Sequence, residues 1–110
     1  MKNSISLIGY IGADPDFKTS ERGVKYCRFS IATSESYKNQ EGEKIEKTEW
    51  HDCVAYNKTA ELINEILHKG SLADIEGKLT YSTYEKDGNN IKRASIEVEK
   101  FLNLSPKPKD

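Results

Sequence analysis

Trp50 and Tyr56 lie six residues apart in the run Thr48-Glu49-Trp50-His51-Asp52-Cys53-Val54-Ala55-Tyr56, and Trp50 is the only tryptophan of the 110-residue chain. The run reads as a strand, and residues of even separation share one face of a strand, so both rings project from a single surface. Rings presented in this way, with cations nearby, form the platforms of single-strand binding, because every base has a stackable face and every nucleotide a phosphate. The plainer alternative is that aromatic residues simply favour pleated surfaces. Asp52 has the same parity as the two rings and puts a carboxylate on their face. On the path of a phosphate backbone that charge repels, most strongly at low salt.

Other candidate chemistries find less support. Cys27 and Cys53 are too few for a disulfide framework, and their spacing fits no zinc pattern. Both fall in strand-like runs, where a small buried thiol is expected. His51 and His68 have no second ligand at helical or strand spacing, so neither a metal nor another cofactor is assigned. Phosphodiester cleavage needs clustered carboxylates or a convergent acid and base. The acidic residues here are scattered, and Glu41, Glu43, Glu46 and Glu49 read as solvated hairpin charge, so no enzyme is expected.

The elements that must hold the rings follow from periodicity. Ser4 to Gly9 reads as a first strand with Ile5, Leu7 and Ile8 as its apolar content, and Gly9 and Gly12 suggest a bend or bulge. Asp14-Pro15 and Glu21-Arg22-Gly23 mark turns. Val24 to Ser34 is strand-like, with Cys27, Phe29 and Ile31 on one face, and Lys38 to Lys44 forms an exposed hairpin loop. A third strand runs from Glu46 to Tyr56. Asn57 or Thr59 then caps a short helix carrying Leu62, Ile63, Ile66 and Leu67 on one stripe, with Glu61 in its first turn and Gly70 at its end. Ser71 to Tyr84 is a fourth strand bent near Gly77, and Asp87-Gly88 turns the chain into a last strand, Ile91 to Leu104. Three strands, a helix and two strands is the order of an OB-fold, a five-stranded Greek-key barrel with its helix between strands three and four. One domain over residues 1–104 is expected, with 105–110 as a disordered tail.

Thr48 to Leu79, together with Ile31-Ala32-Thr33-Ser34-Glu35-Ser36-Tyr37, closely resembles the bacterial single-stranded DNA-binding protein (SSB) family, and the likeness extends from about Ser4 to Leu104. The resemblance implies sequence-tolerant binding and protection of single-stranded DNA in replication, recombination and repair. It implies stacking by Trp50, Tyr56, Tyr37 and Tyr84, the last two standing where the family often has tryptophan. Phosphate contacts from Lys58, Lys69 and Lys38 follow in the same way, with Lys18 and Tyr81 as weaker candidates. His51 matches a histidine of the family's subunit contact, and a homotetramer, or a dimer, is implied. A satisfied core or edge histidine is the other reading of His51.

Other departures from the family remove positive charge. Asp52 and His68 stand where arginine is common, and Thr80, Ser82 and Thr83 occupy a stretch that is often basic. With 17 Lys and Arg against 18 Asp and Glu, the chain carries a net charge of −1, unusual for a nucleic-acid binder. Weak, salt-sensitive binding is expected, and an OB-fold used for protein contact is the competing reading. Many bacterial members of the family recruit replication and repair proteins with an acidic, apolar-ended tip; with Pro106-Lys107-Pro108-Lys109 in its tail, this chain is expected to lack one. No apolar run is long enough to span a bilayer, no signal peptide is evident, and a cytoplasmic, nucleoid-associated location with no membrane contact is expected.

Overall fold

The alternation of the sequence closes into a barrel. The computed structural model describes residues 1–106, which form β1 (Ile5–Ile11), β2 (Asp16–Thr19), β3 (Lys25–Lys38), β4 (Lys44–Tyr56), α1 (Asn57–Ile66), β5 (Leu72–Lys86) and β6 (Asn89–Asn103). The strands are ordered β1-β5-β6-β4-β3-β2, and a further β1–β3 pairing closes the sheet on itself. β4 and β6 pair in parallel at Cys53↔Ile96 and Val54↔Glu97, while the other ladders are antiparallel. Five strands thus make the expected OB barrel. The four-residue β2 is an addition that pairs along the start of β3, from Asp16↔Arg28 to Thr19↔Lys25. The helix accordingly follows the third barrel strand, and lies between β4 and β5 once β2 is counted.

Inward-facing residues explain the closure. Cys27, Phe29 and Ile31 of β3, Cys53 and Ala55 of β4, Ala73 and Ile75 of β5, and Ile96 and Val98 of β6 are buried together with Ile11. The helix covers the core with Ala60 and Ile63, and Leu67 follows as its C-cap. Leu62 is half-buried and Ile66 is exposed, so the apolar stripe is narrower than its sequence suggests and centred one residue earlier. In β1, Ile5 and Leu7 face inward whereas Ile8 is exposed, because a strand can bury only alternate residues on one face.

Two local expectations are corrected. The β1–β5 register runs unbroken from Ile5↔Gly77 to Tyr10↔Leu72, so no bulge interrupts β1 at Gly9. The irregularity lies at Glu76/Gly77 in the β5–β6 ladder, where a Cβ on Gly77 would stand 2.0 Å from the Glu97 carbonyl oxygen. Only a residue without a side chain permits that approach. At the helix start neither Asn57 nor Thr59 caps the backbone: Tyr56 holds the cap position in extended geometry, with no side-chain hydrogen bond. Asn57 instead takes a φ of 55°, a conformation that asparagine tolerates better than most residues. Glu61 therefore lies beyond the first turn and hydrogen-bonds the Lys25 ammonium, which lowers its pKa. At the C-terminal end the Ser105 hydroxyl accepts the Leu72 N–H at 2.7 Å. The remainder of the expected tail, residues 107–110, lies outside the described residues.

Two hairpins run on past the barrel as two-stranded ribbons. β3 and β4 pair as far as Lys38↔Lys44, and β5 and β6 as far as Lys86↔Asn89. Asp87 and Gly88 both have positive φ, 52° and 78°, as the tight turn requires. The ribbons raise the radius of gyration to 16.3 Å, against about 13 Å for a compact domain of this length.

Burial holds the two thiols neutral. The Cys27 pKa is pushed up from 9.0 to about 11 and that of Cys53 to about 12, by desolvation first and by the nearby Asp16 and Asp52 charges second. A pKa raised on folding gives stability that is full below the unfolded value and is lost as pH rises through the folded value. Conformational stability should therefore fall as pH rises from 9.0 towards about 11 and 12. Neither thiol should react with a disulfide reagent at mildly alkaline pH until the protein is unfolded, and titration of native against denatured protein checks this.

Candidate nucleic-acid interface

The pleat that buries Cys53 and Ala55 turns Trp50, Asp52, Val54 and Tyr56 outward. The unbroken β3–β4 register sets Ala32, Ser30, Arg28 and Tyr26 beside them in that order, and β2 extends the rows with Asp16 beside Arg28 and Lys18 beside Tyr26. Trp50 is 61% exposed and Tyr56 42%. The Trp50 ring lies over Gly12, where a Cβ would come within 2.3 Å of Cζ3. A groove of ≈ 550 Å³ runs beside these residues, lined by Asp14, Arg28, Asp52, Tyr56, Ser82 and Arg93 among others.

The remaining expected site residues are spread more widely. Tyr84 is exposed on β5 opposite Ile91, on the same pleat as Ser82 and its partner Arg93. Tyr81 occupies the other pleat opposite Ala94, and the Lys92 ammonium sits 4.4 Å from its ring centroid. Tyr37 pairs with Ile45, which puts it on the pleat opposite to Trp50. At 3.4 Å per residue, Tyr37 lies about 17 Å along the ribbon from the Trp50 row and Lys38 about 20 Å. Those two residues are not brought together with Trp50 and Tyr56. Lys58 is exposed near the start of the helix, two residues beyond Tyr56. Lys69 is also exposed, and its backbone N–H donates to Asp14 Oδ1 at 2.9 Å, which ties it to the end of the groove. His51 faces inward and is half-buried, its Nε2 2.9 Å from Thr33 Oγ1.

Most of the charge in the groove is paired. Asp14, Asp16, Asp52 and Glu97 line it, against Arg28 and Arg93. Asp16 pairs with Lys18 at 3.5 Å and Glu97 with Lys78 at 3.1 Å, while Asp14 accepts the Lys69 N–H. Asp52 Oδ2 accepts two bonds from Arg93, from Nε at 3.1 Å and Nη2 at 2.8 Å, and this contact raises the guanidinium pKa further. Asp52 does face the groove, yet as one member of an ion pair. Among the described residues Arg28 has no ion-pair partner, and its guanidinium lies 5.7 Å from the Tyr26 ring centroid. No group of three or more His, Cys, Asp or Glu that could hold a metal occurs among the described residues.

The family model of the single-strand binding proteins matches residues 2–104. The chain belongs to the single-strand binding protein family. Similar relatives include the single-stranded DNA-binding proteins of Neisseria meningitidis serogroup A, 38% identical, and of Xanthomonas campestris pv. campestris, 42% identical. Each match covers 97 residues, 87% of this chain and 55% of the relative, so the chain spans about half the length of the curated relatives it matches. Among solved structures, the Plasmodium falciparum SSB in complex with ssDNA superposes with a TM-score of 0.86 at 29% identity, covering 96% of each chain. A deletion mutant of the single-stranded DNA-binding protein from Thermus aquaticus superposes with a TM-score of 0.82 at 27% identity, covering 94% of this chain and 51% of that one.

Within this single-strand binding protein barrel, three groove-face residues escape a reading of the sequence centred on β4. Tyr26 and Arg28 were detectable, since they alternate with the buried Cys27 and Phe29. Arg93 alternates in the same way with Ala94 and Ile96, but its contact with Asp52 leaves no local signal, because the two residues lie 41 positions apart. The contact between Trp50 and Gly12 can be tested directly. Gly12→Ala should force the exposed ring aside and shift the emission of the only tryptophan, while changing stability by less than about 1 kcal/mol because a surface ring can move. An unshifted emission maximum in the folded variant would show that the ring does not rest there.

Proposed function

We propose that this chain binds and protects single-stranded DNA with little regard to sequence, in replication, recombination and repair. The observation that carries the reading is the outward pleat of β4, which presents Trp50 and Tyr56 beside a groove lined by Arg28 and Arg93. The rings offer stacking surface to any base, and the guanidiniums offer charge to the backbone. The solved relative bound to ssDNA supports the same ligand here. Tyr84 adds a ring on the pleat of Arg93, and Lys58 and Lys69 supply charge at the helix side. Lys38, on the Trp50 pleat, extends the contact along the β3–β4 ribbon, and a longer strand that wraps the ribbon reaches Tyr37 on its other face. Binding rather than catalysis is the role assigned.

Self-association is part of this proposal. Ile8 and Tyr10 of β1 and Leu102 of β6 are exposed, at 58%, 60% and 60%, with Leu104 just beyond. Register sets Ile8, Asp74 and Leu102 in one row and Tyr10 beside Leu72, so the apolar residues form a patch on the outer face of β1, β5 and β6. A second copy of the chain, in a dimer or tetramer, would cover such a patch. His51 is the residue of the subunit contact implied by family likeness. No helix among the described residues is long and apolar enough to cross a membrane, and a cytoplasmic setting with DNA as the ligand is the one proposed.

Adding oligothymidylate should quench Trp50 emission, and Trp50→Ala should weaken binding by about 1–3 kcal/mol, the scale of one stacked base. Tyr56→Ala should cost a similar amount, and a labelled strand should stay intact in the presence of magnesium. Unchanged affinity in both folded variants, measured by fluorescence anisotropy of the strand, would remove the β4 face from the site.

A further inference from the structure

The pair formed by Arg93 and Asp52 has the form of an occupied anion site. Two nitrogens of one guanidinium converge on a single carboxylate oxygen, Nε at 3.1 Å and Nη2 at 2.8 Å. A guanidinium engages phosphate oxygens with the same fork of donors. Both side chains are about half exposed, 57% and 49%, and both line the groove. An ion pair so exposed is held weakly and is open to exchange with another anion. Its position follows from the fold. The parallel pairing Cys53↔Ile96 sets Asp52 beside Ser95, and Arg93 lies on the pleat of Ser95, two residues away. Asp52 in turn stands between Trp50 and Tyr56 on the outward face of β4.

Asp52 differs from the other three carboxylates of the groove. Asp16 and Glu97 pair with Lys18 and Lys78, which are not among the residues lining the groove, and Asp14 is held by a backbone N–H. Asp52 alone occupies a cation that itself faces the groove. We propose that Arg93 is a phosphate-anchoring residue and that Asp52 keeps it occupied, so that an entering strand displaces the Asp52 carboxylate to reach it. This rests on the single-stranded DNA reading above and adds a built-in competitor to it. Exchange of one anion for another on Arg93 releases no net counterion, since the freed Asp52 takes up a cation as the phosphate gives one up. The site therefore contributes little to the salt dependence of the native protein.

The test compares wild type, Asp52→Asn, Arg93→Gln and the double variant, by anisotropy of a labelled oligothymidylate across a tenfold range of salt. Asp52→Asn should tighten binding and steepen the slope of log affinity against log salt by about 0.7, the scale of one phosphate contact on a single strand. Its advantage over wild type then grows by about fivefold from the high-salt to the low-salt end. With Gln at position 93, Asp52→Asn should give no such steepening. A steepening that persists without the guanidinium would mean that Asp52 acts only by repelling the strand, and would overturn the proposal. Equal slopes for wild type and Asp52→Asn would also overturn it. A second measurement uses the native protein: the Arg93 Nε–H resonance should shift as the strand is added, and an unmoved resonance in a saturated complex argues against the contact. Trp50 quenching in the wild type separates the two levels of inference. Quenching with a failed Arg93 test leaves single-strand binding standing, whereas absence of any binding removes both.

Discussion

The pleat of β4 is the constraint on which the rest of this molecule depends. Cys53 and Ala55 enter the core only if Trp50, Asp52, Val54 and Tyr56 point outward, because successive residues of a strand face opposite ways. A slip of one residue would bury the polar set and expose the apolar one, so the hydrophobic demand of the core fixes the register that presents the rings. The same ladder carries Tyr26 and Arg28 outward on β3 as it buries Cys27 and Phe29. Core and aromatic face are two sides of one strand pair.

Closure of the barrel converts that face into a groove. β6 runs parallel beside β4 for only two residue pairs, yet this short ladder sets Arg93, Ser95 and Glu97 against the outward residues of β4. Small residues sit where strands or rings must come close. Gly77 admits the Glu97 carbonyl as β5 bends, and Gly12 leaves room for the Trp50 ring. The helix makes no direct contribution of rings to the groove. It seals the core with Ala60 and Ile63, and its neighbour Lys69 fastens Asp14 at the groove end.

Net charge is a poor guide to this surface. A chain of −1 suggests weak attraction for a polyanion, but field strength in a groove depends on which charges face it and how they are paired. Asp16, Glu97 and Asp52 are each matched by a cation, whereas Arg28 keeps its charge against the Tyr26 ring. Arg93 compensates Asp52 and is in turn occupied by it.

By itself the sequence determined the barrel strands, the single helix, the Asp87-Gly88 turn, the bend at Gly77 and the shared face of Trp50 and Tyr56. Each of these is written in spacing over a few residues, since alternation and turn chemistry act locally. The family likeness carried by Thr48 to Leu79 was legible for the same reason. The exact helix cap was less so, because asparagine suits both a capping role and a positive φ, and here it takes the second while an extended Tyr56 holds the cap position. The short β2 was missed because four residues hold too little alternation to register, and its partner strand supplies the pairing. Tyr37 and Tyr84 looked equivalent in the sequence; register puts Tyr84 on the pleat of Arg93 and carries Tyr37 to the far side of a protruding ribbon. The ion pair between Asp52 and Arg93 was decided by tertiary structure alone. Residues 41 positions apart meet only when β4 and β6 lie side by side, and no local pattern records a contact made by closing a barrel.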